Sequence, residues 1–445
     1  MSRENERIRK KIEVNPVSEC NKVQKRFYPE LFHKFSQTYD PRHQSYVVYT
    51  NKTMLCTLYY KGIAGIPSMQ AMTTEFNDEA VVKNLSSFMD ESLEEYLPHH
   101  VTENEYLERL DPQELQKIQQ DIVYQLIRKK TFDGAKFMKK WLVIIDGSQL
   151  YSGRRKINDN CLERVSNRGT DQEIGNYHQN VLEAKIYFGE KLIASIATEF
   201  IENNGEDAIR QKNMSEEEKK QDCETKAFVR MAKKLKEAFP RLPMILLLDS
   251  LYASKTVMDI CKKNKWDYII RFKKGSIPSI AVEYEAIPEK QISGNAEFIN
   301  DIEYKDHKVN VLRYREEKKI KKKLVTTEFQ WLTNIKITIR NAEKMAATGR
   351  KRWKIENEGF NRQKHWQGDI THACSWNENA QKNHYLMHQI SDFIKQLYEF
   401  YFLEKNQIKK KQKNISSDLL ASFAGQLTRE DISANIMEAH SVAIK

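Results

Sequence analysis

Two strand-length apolar runs, each followed by an aspartate, constrain the fold of this chain more than any other feature. The first run is residues 141–145, ended by Asp146, and the second is residues 244–248, ended by Asp249. A short run that is apolar at every position is typical of a strand covered on both faces, as in α/β folds. Because ligands bind at the carboxyl ends of such strands, we expect both aspartates at one functional edge of a sheet.

A third acid, Glu356, lies in the segment Arg352-Trp353-Lys354-Ile355-Glu356, which the pattern predicts to be helical. Three carboxylates supply the hard oxygen ligands that Mg²⁺ or Mn²⁺ prefers, and together they can hold two ions about 3.5–4 Å apart. We therefore take Asp146, Asp249 and Glu356 as candidate catalytic and metal-binding residues. Arg352 stands four residues before Glu356, at the spacing of a helical ion pair or of a bidentate phosphate contact.

The charge of the chain favours an anionic partner. Its 445 residues carry a net charge of +11, which fits binding to nucleic acid or to a membrane surface, although lysine can also serve solubility alone. No apolar run approaches the ~20 residues of a membrane span, and no secretory signal is visible at the start. The 6 cysteines form no C-x-x-C pair, which argues against a zinc ribbon and fits a reducing cytoplasm.

The elements predicted between residues 136 and 272 define the fold class. They follow the order strand, hairpin around Gly189-Glu190, helix over 215–238, strand, helix over 254–264 and strand over 268–272. This order predicts an α/β fold with a mixed sheet flanked by helices.

The remaining segments are assigned by their patterns. Residues 1–135 are polar and mostly helical with basic clusters, which predicts a helical DNA-binding domain or, equally, a helical cap on the main domain. Residues 273–342 alternate between apolar and polar and predict a β-rich insertion. Residues 343–405 would carry the catalytic helix and a long amphipathic helix from about 379, which either forms a dimer interface or covers the core. Residues 406–445 are expected to form a basic, mobile tail.

Taken together, three short motifs resemble the DDE transposases of bacterial insertion sequences. They are Ile145-Asp146-Gly147-Ser148, Leu248-Asp249-Ser250-Leu251-Tyr252 and Arg352-Trp353-Lys354-Ile355-Glu356. The resemblance covers about residues 140–370 and fits the cut-and-paste class with a β-insertion between the second aspartate and the glutamate. It implies a ribonuclease H-like core and an enzyme that binds element ends, cleaves DNA by metal-dependent hydrolysis and joins the 3′-hydroxyl to target DNA.

The same resemblance implies the partners and the surroundings of the protein. The partners would be double-stranded DNA, as terminal inverted repeats and target, and a second copy of the chain in a homodimer on DNA. No membrane would be involved, and the protein would lie in the bacterial cytoplasm with the nucleoid.

The chain departs from the family pattern at two positions of the catalytic helix. The family has a tyrosine three residues before the arginine and a lysine seven after the glutamate, whereas this chain has Gly349 and Gln363 there. Lys364 follows one position later, and its side chain is long enough to reach the same phosphate.

Three further residues are candidates for DNA contact. Lys273 and Lys274 follow the last predicted strand and would either bind the DNA backbone or lie in a solvated loop. Trp331 of the insertion would stack on a flipped base, as aromatics of the insertion do in such transposases, or be a core aromatic. Two alternatives to a transposase stay open: a ribonuclease H-like nuclease without strand transfer, and a catalytically inactive DNA-binding protein descended from a transposase.

Overall fold

A computed structural model describes residues 15–93, 96–167, 169–203, 221–320, 323–425 and 427. The α-helices of this part of the chain are α1 Pro16–Phe27, α2 Leu31–Gln37, α3 Asn51–Ala64, α4 Met69–Phe76, α5 Glu79–Met89, α6 His100–Arg109, α7 Pro112–Arg128, α8 Glu224–Ala238, α9 Lys255–Asn264, α10 Pro278–Ala286, α11 Ala342–Arg350, α12 Arg362–His365, α13 Glu378–Tyr398 and α14 Gln412–Phe423. The strands are β1 Trp141–Gly153, β2 Leu162–Ser166, β3 Ile174–Gly189, β4 Leu192–Ile201, β5 Met244–Leu248, β6 Asp267–Arg271, β7 Gln291–Ser293, β8 Ala296–Tyr304, β9 His307–Ile320 and β10 Lys323–Thr333.

The strands form one mixed sheet whose first half has the ribonuclease H-like arrangement. Strand β3 pairs antiparallel with β1, β2 and β4, and β1, β5 and β6 lie parallel to one another. The predicted order of strand, hairpin, helix, strand, helix and strand is confirmed. Ser254 caps α9 by accepting a hydrogen bond from the Val257 amide, which explains why the helix begins there.

Both faces of the central strand are covered, as its continuous apolar pattern predicts. Trp141, Val143 and Ile145 belong to one hydrophobic cluster, while Leu142 and Ile144 belong to the cluster on the other face. Successive side chains of a strand point to opposite faces, so a strand buried on both faces has to be apolar at every position.

The β-rich segment continues the same sheet. Strands β8, β9 and β10 form an antiparallel meander, and β10 pairs antiparallel with β6. The far end of the sheet is β7, which pairs with β8. The sheet therefore runs without interruption from the aspartate-bearing strands into the insertion.

The N-terminal helices share a hydrophobic core with α13. The side chains of α13 are buried almost without exception from Asn383 to Tyr398. Asn383 donates hydrogen bonds to the carbonyls of Leu107 and Leu110, and Lys61 lies 2.9 Å from His384. Of the two roles open to this amphipathic helix, covering the core is the one observed, because its surface is already occupied within a single chain.

The C-terminal segment differs from the expected mobile tail. Helix α14 packs on the molecule with Leu419 and Phe423 fully buried, and the Ser422 carbonyl accepts a hydrogen bond from Asn15. The prediction of a mobile tail is wrong for this helix because its apolar side chains complete the N-terminal core. Most of the tail beyond it, and residues 215–220 of the helix predicted over 215–238, lie outside the described residues. No helix in the described ranges is long and apolar enough to cross a membrane.

Candidate active site

Three carboxylates lie within electrostatic reach of one another where β1, β5 and α8 meet, and a fourth, that of Glu356, belongs to the segment after α11 that packs against β1. We call this group, formed by Asp146, Asp249, Glu224 and Glu356, the acid edge. The parallel pairing of β1 with β5 ends at Ile144 and Leu247, and both aspartates come shortly after it. Strand β1 does not end at Asp146, as the apolar run predicted, because its pairing with β3 continues to Gly153.

Asp146 is held by an arginine and by a backbone amide. Arg352 Nη1 lies 2.8 Å from Asp146 Oδ2, and the amide of Gly147 donates to Oδ1 at 3.1 Å. Burial raises the pKa of Asp146 to about 6, Arg352 opposes that rise, and Glu224 and Asp249 add to it. Burial and neighbouring negative charges make the ionised form of this carboxyl less favourable, which is the setting in which functional acids are often found.

Glu224, the first residue of α8, is a fourth acid that the sequence analysis did not single out. Its Oε2 accepts a hydrogen bond from the hydroxyl of Tyr252 at 3.2 Å, and its carboxylate lies so close to Gly147 that a Cβ there would collide with it. Burial raises the pKa of Glu224, the Tyr252 hydrogen bond opposes this, and Asp249 adds to it. The two aspartates and Glu224 therefore act on one another electrostatically.

Alternate basic residues fasten the segment after α11 to three different elements. Arg350 binds Glu316 of β9 at 3.0 Å, Arg352 binds Asp146, and Lys354 binds Glu190 in the β3–β4 turn at 3.0 Å. These ion pairs fix the segment between Asp146, after the apolar run of β1, and Glu190, in the turn beside the amino end of β1, and Ile355 packs on the face of the sheet.

Glu356 lies in a π-helical stretch, Ile355–Asn361, that comes after a 3₁₀ turn, Lys351–Trp353. This stretch replaces the regular α-helix that the pattern predicted, and π turns are frequent at functional sites. Glu356 is half-buried, and no described residue forms a hydrogen bond or an ion pair with its carboxylate. Of the two roles that the spacing allowed for Arg352, the ion pair with Glu356 is not formed, because Arg352 reaches across to Asp146, and the phosphate contact stays a prediction.

The irregular helix also moves Gln363 away from the acid edge. Gln363 is fully buried and donates to Gln389 at 2.9 Å and to Asp392 at 2.8 Å. A regular helix would have placed it near the Glu356 stripe, but each π turn adds a residue and rotates the residues after it. Lys364 is half-buried in α12, and its predicted phosphate contact stays a prediction.

The role in base stacking expected of Trp331 does not fit its position. Trp331 is 2% exposed and stacks on Phe329, with Gly349 so close to its indole that a Cβ there would clash. A side chain buried in this way has no free face for a base, and the alternative of a core aromatic is the one observed. The departure from tyrosine at Gly349 has the same cause, since the indole fills the space.

Arg271, at the end of β6, is a second basic residue near the acid edge that sequence reasoning missed. It donates to the carbonyl of Gln330 at 3.1 Å, and its guanidinium lies 5.0 Å from the Phe329 ring centre. Burial lowers the pKa of Arg271, an effect that Asp249 opposes and Arg352 reinforces, so all three groups lie within electrostatic reach. A charged residue that ends an apolar strand was the signal available in the sequence, as for the two aspartates.

The other predicted DNA contacts lie on the loop after β6. Lys273 and Lys274 are both exposed, and Lys274 lies 3.4 Å from Glu285 of α10. Their exposure fits either the backbone contact or the solvated loop that the sequence left open.

The donors of the acid edge fit divalent cations in chemistry and in charge. Carboxylate oxygens are suitable ligands, and the negative charge exceeds what Arg352 neutralises. Within the described residues, however, the three ligand atoms that come within 4.8 Å of one another belong to Asp259, Asp306 and His307. There Lys255 already binds both carboxylates, at 2.8 and 3.0 Å, so that group is a compensated surface cluster. The carboxylates of the acid edge would have to move closer together to bind shared ions.

Comparison with known proteins identifies the class of the domain. Residues 220–388 match the family model described as the transposase DDE domain. The matched segment contains Asp249, Arg352 and Glu356, so the resemblance to DDE transposases is confirmed for this segment. A solved structure of the piggyBac transposase synaptic complex with hairpin DNA aligns at a TM-score of 0.43 and 12% identity, covering 96% of this chain and 85% of that chain. None of the curated proteins matches the chain.

Proposed function

We propose that the protein is a DNA transposase that binds the ends of a mobile element, cleaves DNA with two Mg²⁺ or Mn²⁺ ions and joins the freed 3′-hydroxyl to target DNA. The observation that supports the proposal is that Asp146 and Asp249 follow neighbouring parallel strands of a ribonuclease H-like sheet, with Arg352, from the segment that carries Glu356, bound to Asp146, and that residues 220–388 match the transposase DDE domain. The net charge of +11 supports a polyanionic partner.

Three side chains of the acid edge and the neighbouring Arg352 would each have a task in this reaction. The cations would activate the attacking water or hydroxyl and neutralise charge on the leaving oxygen. Asp146, Asp249 and Glu356 would hold them through carboxylate oxygens. Arg352, which binds Asp146 through a single Nη1 contact, would hold the scissile phosphate with its other guanidinium nitrogens.

Because Trp331 is buried, we assign the aromatic contact to DNA to Trp353 instead. Trp353 is 55% exposed and stands directly after Arg352, with the guanidinium carbon 5.6 Å from its ring centre. A large exposed aromatic beside a phosphate-binding arginine offers a stacking face to an unpaired base. Lys273, Lys274 and Lys364 would contact the backbone of the same DNA.

Cleavage of DNA that carries the sequences flanking this gene tests the proposal. A plasmid with those flanks and Mg²⁺ should be cut by the wild-type chain, and Asp146→Asn, Asp249→Asn and Glu356→Gln should each lower cutting by about a hundredfold or more while DNA binding persists. Glu303→Gln, an exposed acid on β8, is the matched control and should cut normally. Equal loss of binding and cutting in the three variants would contradict the assignment.

Strand transfer separates the proposal from its alternatives. An end already cut to a 3′-hydroxyl should be joined to a target plasmid. Cutting without joining would favour a nuclease, and DNA binding without either reaction would favour an inactive descendant. We also infer that the chain works as a homodimer on paired ends, in the cytoplasm with the nucleoid. A complex of two chains per pair of ends, measured by light scattering, is the expected result.

A further inference from the structure

Glu224 occupies a position that links the segments of both aspartates. One carboxylate oxygen accepts a hydrogen bond from the hydroxyl of the buried Tyr252, which stands three residues after Asp249. The other oxygen lies against Gly147, the residue directly after Asp146. Gly147 leaves the space that this carboxylate fills, because any side chain there would push it away.

The charge of Glu224 is not neutralised within the described residues. No lysine or arginine forms an ion pair with it, whereas Asp146 has Arg352. Holding a partly buried carboxylate beside two others without a cation is unfavourable, and proteins keep such arrangements where a cation binds. The ordinary alternative is an acid that interacts favourably with the amino end of its own helix.

Building on the proposed transposase function, we propose that Glu224 is a positioning residue of the cation site. Its negative charge adds to those of Asp146 and Asp249 and strengthens their hold on divalent cations, and Tyr252 fixes the carboxylate in place. Glu224 thereby acts through the two aspartates, and the site works with four acids rather than three.

Replacing Glu224 with glutamine distinguishes this role from that of an acid that only stabilises the amino end of its own helix. Glu224→Gln keeps the size and the oxygen that accepts from Tyr252 but removes the charge. We expect Mn²⁺ binding without DNA, measured by calorimetry, to weaken about tenfold, and the Mg²⁺ concentration for half-maximal cutting to rise by a similar factor. In the metal-free protein, the melting temperature should rise, because repulsion with the aspartates is relieved.

Glu79→Gln is the matched control, since Glu79 is the exposed first residue of α5. It should lower the melting temperature slightly and leave Mn²⁺ binding unchanged. Tyr252→Phe removes only the hydroxyl and should weaken Mn²⁺ binding about threefold, so it tests the idea even if the glutamine variant folds poorly.

The inference is overturned if Glu224→Gln binds Mn²⁺ as the wild type does, or if it loses stability without metal as the control does. Absence of Mn²⁺ binding by the wild-type chain, or unchanged binding in Tyr252→Phe when the glutamine variant cannot be measured, would also count against it. A wild-type chain that binds Mn²⁺ through Asp146 yet cuts no DNA would instead refute the proposed transposase reaction. The two failures are therefore distinguishable.

Discussion

Two charged regions flank the π-helical stretch Ile355–Asn361, and they differ in how far their carboxylates are neutralised within the chain. On one side lies the acid edge, and on the other a buried network centred on Arg362, which is 4% exposed. Arg362 binds Asp392 at 2.6 Å and both oxygens of Glu399 at 2.7 Å. In the network each carboxylate has a guanidinium partner, whereas at the acid edge Glu224 and Glu356 have none among the described residues.

The pKa values reflect this difference. Burial acts to raise the pKa of Asp392, but Arg362 and Lys185 outweigh it and hold the pKa below its ordinary value. At Asp146 burial wins over Arg352 and the pKa rises to about 6. Charges satisfied inside the chain serve the fold, and charges left over are available to a ligand from outside.

The largest expected effect comes from breaking the network. Arg362→Ala should lower the free energy of unfolding by about 3–5 kcal/mol, because the buried Asp392 and the half-buried Glu399 lose their partner. Arg352→Ala should cost distinctly less stability, since Asp146 can take up a proton instead, but should abolish DNA cutting. Urea unfolding monitored by circular dichroism measures both stabilities. Similar stability losses in the two variants would erase the contrast between the regions.

A pH series without metal sharpens the contrast at Asp146. The folded pKa of about 6 lies above the ordinary aspartate value of 3.8, so the unfolded chain loses this proton first as the pH rises. Stability from this group should therefore fall between about pH 4 and pH 6, by about 3 kcal/mol at most, and stay level above. In Asp146→Asn this fall should be absent, so the stability difference between the two proteins should change by that amount between about pH 4 and pH 6. Parallel curves for the two proteins would contradict the raised pKa.

A smaller effect is expected from steric contact beneath the acid edge. Gly349→Ala places a methyl group within 3 Å of the Trp331 indole and should cost about 1–3 kcal/mol. The tyrosine of the family pattern should be tolerated even less well at this position. Gly134→Ala, which meets nothing within 4 Å, is the control and should unfold as the wild type does. Equal urea midpoints for the two alanine variants would show that the indole moves aside freely.

The smallest effect is expected at the surface cluster of Asp259, Asp306 and His307. Because Lys255 already neutralises its carboxylates, Asp306→Asn should change neither the stoichiometry of Mn²⁺ binding nor the metal dependence of cutting. Calorimetry of this variant beside Asp146→Asn measures the difference. Loss of a bound ion in Asp306→Asn would show that an ion pair with a lysine does not prevent these carboxylates from binding a cation.

The sequence pattern predicted the elements of the core because the residues that form each of them are close together in the sequence. Examples are the burial of alternate β1 side chains in two hydrophobic clusters, the hairpin at Gly189 and the Ser254 cap of α9. The same pattern singled out Asp146 and Asp249. It gave no signal for Glu224, which is one acid among many in a charged helix.

The sequence by itself determined the two apolar runs that form the buried parts of β1 and β5 and the aspartates that follow those runs, since burial on both faces of a sheet requires an unbroken apolar run. Only the tertiary structure decided that Arg352 binds Asp146, that Gln363 turns inward, that Trp331 is covered and that Glu224 joins the aspartates. Each of these depends on what a distant segment places beside the side chain, and one added residue in a helical turn is enough to change it.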